Sequence, residues 1–315
     1  MKGRIVSINT GSDRGEKKSP VAEAVLISGY GIQGDAHAGA VRQVSLLANE
    51  SIEKGIASGV ELKPGDFGEN MTTEGIDAAS IRLGERFLVG GEAILQISDI
   101  GKVCDVPCSI GQRLGECIMP REGLFARILR GGRIAMGDPI ESTSLKVGAV
   151  LTSSDRCASG ERKDESGPLL VELLGGLDIA IADYTVMPDE EADLSDKLKF
   201  LADRCAADLI LTTGGTGFTP RDRMPEATLA VLESQAPGIA EAIRHEGMRH
   251  TPYACMSRGV SGLRGRTLIV NLPGSKRAIA ESADLLRAII PHILEVMRVE
   301  IADCGTIMRP PGRPE

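Results

Sequence analysis

Leu209-Ile210-Leu211-Thr212-Thr213-Gly214-Gly215-Thr216-Gly217 runs from an apolar block directly into a glycine loop, and this junction decides the reading of its surroundings. A short apolar run closed by glycine fits a buried strand. The glycines remove the Cβ obstruction, so backbone amides can close on an anion, and the Thr hydroxyls add donors. Outward from this point, strands at 147–152, 179–187, 208–213 and 266–272 alternate with helices at 168–174, 192–206, 225–249 and 276–300. That alternation predicts an α/β domain with a mainly parallel sheet and crossover helices.

Ligands of open α/β sheets bind beyond the carboxyl ends of the strands. Four polar loops fall there: Ser153-Ser154-Asp155-Arg156, Pro188-Asp189-Glu190, the glycine loop, and Pro273-Gly274-Ser275. Asp189 and Asp222 are candidates to hold Mg²⁺ beside a triphosphate, with Asp155 a third. A loop aspartate ordinarily caps a helix or makes a turn, so the joint placement carries the argument and no single residue does. Arg221, Arg223, Arg258, Lys276 and Arg277 supply local positive charge. His245, His250 and His292 fall in or beside helical stretches and read as surface or packing residues.

The first 140 residues follow a different pattern, rich in glycine and in short apolar runs at 3–8, 23–27, 86–89 and 93–97, with one helix expected over 44–55. This predicts a mostly β, barrel-like domain at 1–143 and the α/β domain at 144–315. Cys104, Cys108 and Cys117 lack paired zinc knuckles. A thiol at Cys104, beside Lys102, is a candidate thiolate. His37 is the sole histidine of this half and lies in the turn Gly34-Asp35-Ala36-His37-Ala38-Gly39; Gly65-Asp66-Phe67-Gly68-Glu69-Asn70 is another. Both patterns are also those of ordinary β-turns.

Composition narrows the function classes. A net charge of −8 and only 3% aromatic residues argue against nucleic-acid binding, which needs a basic surface or stacking platforms. No apolar run reaches the roughly 20 residues of a membrane span. Seven cysteines, an odd number, and an N-terminus without an apolar signal core point to reduced thiols in a cytoplasm.

Ser154-Asp155-Arg156, Met187-Pro188-Asp189-Glu190, the run from Thr213 through Phe218-Thr219-Pro220-Arg221-Asp222, Pro225-Glu226-Ala227-Thr228 and Asn271-Leu272-Pro273-Gly274-Ser275 resemble the MoaB/Mog family, which includes molybdopterin adenylyltransferases and the gephyrin G domain. The resemblance implies a three-layer α/β/α fold, commonly trimeric, that binds molybdopterin and ATP and joins AMP to the terminal phosphate of molybdopterin with release of pyrophosphate. It implies that Asp189 and Asp222 are catalytic and hold Mg²⁺. Ser154, Asp155, Gly214, Gly215, Thr216, Gly217, Arg221, Pro273, Gly274 and Ser275 would contact ATP or molybdopterin. Arg223 departs from the small or β-branched residue often found after this aspartate.

The two turns of the first half, with Ile100-Gly101-Lys102-Val103-Cys104 and Met119-Pro120-Arg121-Glu122-Gly123-Leu124-Phe125-Ala126-Arg127, resemble small MOSC domains. This implies a barrel-like domain that binds molybdenum cofactor through Cys104 and His37, although Lys102-Val103-Cys104 replaces the Lys-Pro-Cys of relatives. Together the halves point to a bifunctional protein of molybdenum cofactor biosynthesis, with other proteins of that pathway as partners. Two alternatives stay open: a carrier that binds pterin without adenylyl transfer, and a MOSC reductase of N-hydroxylated compounds. The choice between molybdenum and tungsten is open too.

Overall fold

The computed structural model describes residues 1–14, 16–56, 62–101 and 117–297. The chain divides into two compact units after Leu145.

The strands of the first unit are β1 (Lys2–Thr10), β2 (Ser19–Val21), β3 (Glu23–Ile27), β4 (Gly31–Ile32), β5 (Val44–Ala48), β6 (Met71–Glu74), β7 (Arg86–Val89), β8 (Ala93–Ile100), β9 (Leu124–Arg130), β10 (Gly132–Ala135) and β11 (Pro139–Ser142). The described helices are α1 (Asn49–Ile56) and α2 (Met119–Glu122). Eight strands form one sheet in the order β11-β7-β8-β9-β5-β6-β1-β2, and β11 also pairs with β1 at Gly3↔Ile140, which closes the sheet into a barrel. Inward residues such as Ile5, Ile8, Phe87, Leu95, Ile97 and Ile128 fill it.

The helix expected over 44–55 is in fact a strand followed by a helix. Val44–Ala48 is buried at all five positions and pairs with β6 on one side and β9 on the other. Leu46 packs into the barrel, while Leu47 and Ile52 join a separate cluster with Phe67 and Phe125. A strand apolar on both faces shows no alternation, and here it imitated a helical face.

The second unit contains β12 (Lys146–Ser153), α3 (Asp155–Ala158), α4 (Ser166–Gly175), β13 (Ile179–Met187), α5 (Glu191–Lys199), β14 (Leu209–Thr213), α6 (Met224–Leu229), β15 (Ser234–Gln235), α7 (Pro237–Met248), β16 (Ser261–Arg264), β17 (Thr267–Leu272) and α8 (Lys276–Met297). Its sheet has the order β13-β12-β14-β17-β16-β15. The first four strands run parallel, and the last two are antiparallel, so the sheet is mixed. The helices expected over 225–249 are α6 and α7, and between them a strand that was not expected, Ser234–Gln235, pairs with β16 before Pro237 starts α7.

Alternate strand residues feed two cores. Val150, Leu209, Leu211 and Val270 pack with Leu170, Ile243 and Leu286 from α4, α7 and α8. Ala149, Leu151, Ile210 and Ile269 pack on the other face with Leu194, Leu198 and Ala227 from α5 and α6. This period of two fixes which residues face which helices, and Leu211→Ala would cost about 2–5 kcal/mol. Because β12, β13, β14 and β17 are parallel, their carboxyl ends and the four polar loops meet at one edge. Among the described residues, no helix is long and apolar enough to cross a membrane.

Candidate functional site

At the sheet edge of the second unit, Ser153, Asp155, Asp164, Asp189 and Asp222 line a cavity of about 380 Å³. A second cavity of about 380 Å³ lies toward α7 and α8, where Arg244, Tyr253, Ser257, Ser275 and Glu281 line it. Gly214, Gly215, Asp222 and Gly274 belong to both. The glycine loop therefore partitions a bipartite site, polar on one side and more apolar on the other.

Two glycines of this loop are dictated by geometry. Gly214 has φ +87°, and a Cβ there would lie 2.2 Å from the Ser153 carbonyl oxygen. Gly215 has φ +61°, and its Cβ would lie 2.9 Å from Asp189 Oδ1. Only glycine permits this approach of loop to loop. Among the described residues, the amides of Gly215, Thr216 and Gly217 donate to no protein acceptor, so they remain available to an anion.

Asp189 is braced rather than free. Its Oδ1 accepts from the Ser153 hydroxyl, and its Oδ2 accepts from the Asp155 amide at 3.1 Å. Asp155 reciprocates, its Oδ1 accepting from the Asp189 amide at 3.0 Å. Arg221 grips Asp155 through Nε and Nη2 at 2.9 and 2.8 Å and reaches Glu190 at 2.8 Å, joining three of the four loops. The Arg221 guanidinium and the Asp189 amide hold the Asp155 carboxyl below the usual carboxylate range. Asp222 Oδ2 accepts from the Thr219 amide at 2.7 Å, and Arg223 turns away to pair with Glu191.

Ser154 caps α3, its Oγ accepting from the Cys157 amide at 3.3 Å, and Ser275 Oγ accepts from the Ala278 amide at 3.1 Å at the start of α8. Pro273 accepts at its carbonyl from the Thr213 hydroxyl at 2.8 Å. His245, His250 and His292 line neither cavity.

Asp164 was not singled out from the sequence, yet it lines the polar cavity and accepts from the Thr152 hydroxyl at 2.6 Å, the Tyr184 hydroxyl at 2.8 Å and the Ser166 and Gly167 amides at 2.9 and 3.1 Å. Burial pushes its carboxyl up, but these donors outweigh burial and hold it below the ordinary value. Asp164-Glu165-Ser166-Gly167-Pro168, an acid just ahead of a proline-bearing helix start, was the available signal.

The first unit holds a different polar cluster. Lys18 Nζ donates to both oxygens of Asp35 at 2.9 and 2.8 Å and lies 3.3 Å from His37 Nδ1. Asp35 also accepts from the His37 amide at 2.9 Å, the Gly11 amide at 3.2 Å and Asn70 Nδ2 at 3.0 Å. The Lys18 and Asp35 side chains are buried, while His37 is about a third exposed. Glu69 accepts at Oε1 from the Gly65 amide at 2.6 Å and the Thr72 hydroxyl at 2.8 Å; its Oε2 is buried without a partner among the described residues, and burial pushes the carboxyl up. Lys18 was missed because a Lys17-Lys18 pair reads as a solvated face. Cys104, with Lys102 and Cys108, lies outside the described residues. Cys117 is half-buried against the Phe67 and Met119 cluster.

A family model described as "Probable molybdopterin binding domain" matches residues 149–292, and a model of the MOSC domain matches residues 33–141. The molybdenum cofactor synthesis protein cinnamon of Drosophila melanogaster is 41% identical over 157 residues, 49% of this chain and 26% of that protein. The molybdenum cofactor biosynthesis bifunctional protein of Synechococcus elongatus is 33% identical over 218 residues, 68% of this chain and 66% of that protein. A molybdopterin adenylyltransferase of Helicobacter pylori strain J99 is 35% identical over 150 residues, 47% of this chain and 85% of that enzyme. The chain thus spans about a quarter of the length of cinnamon and just under two thirds of that of the Synechococcus protein.

Proposed function

The chain belongs to the molybdopterin-binding MoaB/Mog family and carries a MOSC domain ahead of it, and from that premise we propose that its second unit transfers AMP from ATP to molybdopterin. An oxygen of the molybdopterin terminal phosphate attacks the α-phosphorus of ATP. The bond between that phosphorus and the bridging oxygen to the β-phosphorus breaks, and pyrophosphate leaves with the bonding electron pair. The observation that carries this reading is that Asp189 and Asp222, from separate strand ends, line one cavity with Gly215, whose amide donates to no protein acceptor among the described residues.

The attacking phosphate is already anionic, so positioning and charge neutralisation can carry the catalysis without a strong general base. The amides of Gly215, Thr216 and Gly217 would receive phosphate oxygens, and Arg221 together with Ser154 and Asp155 would bound the nucleotide side. Pro273, Gly274 and Ser275 would bound the pterin side. Among the described residues no group of three or more His, Cys, Asp or Glu is suited to hold a metal ion. Mg²⁺ needs less, since one or two carboxylates plus substrate phosphates and water complete its shell, and Asp189 and Asp222 provide hard oxygens of that kind. Bound there, Mg²⁺ would neutralise phosphate charge.

This reading includes the family's three-layer α/β/α architecture, a trimer formed through the second unit and a cytoplasmic setting. The first unit would receive, sulfurate or hand on molybdenum cofactor through His37 and Cys104, with Lys18 and Asp35 supporting His37 from behind. Joining the units would raise the local concentration of the intermediate. A carrier without transferase activity is the second reading, favoured by one observation: both oxygens of Asp189 already accept protein donors.

The test is pyrophosphate release by the full chain with ATP, Mg²⁺ and molybdopterin. Asp189→Asn and Asp222→Asn should each lower kcat by about 10²-fold or more while circular dichroism stays unchanged. Molybdopterin binding with no pyrophosphate release by the wild type would establish the carrier reading instead.

A further inference from the structure

The glycine loop is held from behind by a residue to which the reading above assigns no role. We infer that Arg258 is a positioning residue of the transfer reaction, fixing the loop that carries both the free amides and Asp222; this rests on the adenylyl-transfer reading. Its backbone amide donates to the Thr216 carbonyl at 2.9 Å, its Nε to the Gly217 carbonyl at 2.6 Å and its Nη2 to the Asp222 carbonyl at 2.6 Å. Its Nη1 pairs with Glu226 of α6. One side chain with its own amide therefore ties three loop carbonyls to the helix that follows the loop.

The planarity of the peptide turns this clamp into an aiming device. A carbonyl turned toward Arg258 forces the amide of the next residue to point away from it. With the Thr216 carbonyl so held, the Gly217 amide faces the opposite way, and Gly217 lines the cavity toward α7 and α8. The Asp222 carboxylate abuts the same glycine, since a Cβ at Gly217 would lie 2.9 Å from its Oδ2. Fixing the Thr216 and Asp222 carbonyls together thus sets the spacing between the Gly217 amide and the acidic group.

Arg258 is itself anchored. The Val260 amide, two residues on, donates to Asn271 Oδ1 at 3.2 Å. Asn271 Nδ2 donates to the Thr212 and Thr228 hydroxyls at 2.9 Å each, which locks β14, β17 and α6 to one another. Three acceptors fanned about one head group suit the planar fork of a guanidinium and exceed what an ammonium can reach from a single position.

The test uses the full chain, with steady-state pyrophosphate release and calorimetric binding of inorganic pyrophosphate as separate readouts. Arg258→Met keeps the length of the stem and removes the donors. It should lower kcat by about 10²-fold and weaken pyrophosphate binding about tenfold, with the KM for molybdopterin within about twofold of wild type. Arg258→Lys, which can restore one or two contacts, should recover about tenfold of the lost kcat. Should Arg258→Met fail to fold, Arg258→Lys and Glu226→Gln carry the test, each with an expected loss in kcat of several-fold and an unmoved KM for molybdopterin. A kcat within about twofold of wild type in the folded variants, or equal weakening of molybdopterin and pyrophosphate binding, overturns the assignment. A wild-type chain that binds pyrophosphate but releases none ends the transferase reading alone. Arg258→Met must then still weaken pyrophosphate binding, and unchanged binding overturns the positioning role.

Discussion

The Lys18–Asp35 pair of the barrel and the Arg221–Asp155 pair of the sheet edge use the same charges in opposite settings. The first pair is sealed, with side chains 1% and 0% exposed, while the second is open at 52% and 44%. Burial pulls the Lys18 ammonium below its usual range despite Asp35. Burial alone would raise Asp35, but the hydrogen bonds from His37 and Lys18 overcome it and hold the carboxyl far below the ordinary carboxylate value. At the sheet edge the shift in Asp155 comes first from its bond to Arg221, which solvent can screen and a ligand can replace. A sealed pair is part of the architecture of its unit. An open one can exchange a protein partner for a substrate.

Removing one partner from each setting breaks or sharpens this comparison. Lys18→Met leaves Asp35 buried without its cation, and the first unit should lose about 3–5 kcal/mol in urea unfolding; a loss similar to that of a surface pair would erase the distinction. Asp164→Asn lies between the extremes and should cost about 1–2 kcal/mol at neutral pH, since two hydroxyl donors lose their acceptor. The Asp164 carboxyl is held below the ordinary value of 3.8, so its stabilisation is present above that value and is lost as the pH falls through the folded-state value. Melting curves of wild type and Asp164→Asn should therefore converge in strong acid, and a constant gap would show that ionisation is not the cause. Arg221→Met should leave the urea midpoint nearly unchanged, with any difference shrinking further in high salt.

Legibility followed the physics of each segment. The strands Glu23–Ile27, Arg86–Val89 and Ile179–Met187 stand at the residues their patterning indicates. Val44–Ala48 was misread because burial on both faces erases periodicity. Ser234–Gln235 and Ser261–Arg264 are short antiparallel additions whose pairing is tertiary, and their local sequence carries little of it. In the site, the loops that follow parallel strands were readable because topology alone brings them to one edge. The burial of Lys18, the four donors around Asp164 and the three carbonyls around Arg258 depend on residues 17 to 42 positions away or on exact loop paths. No spacing rule conveys them.

The close approach at Gly214 has an evolutionary corollary. Any side chain there collides with the Ser153 carbonyl, and the collision is with main chain that cannot swing aside. A saturation library at this codon should return glycine almost alone, whichever substrate the selection uses. Recovery of another amino acid would report that the two loops had drifted apart, which makes codon 214 a genetic caliper for the width of the cleft.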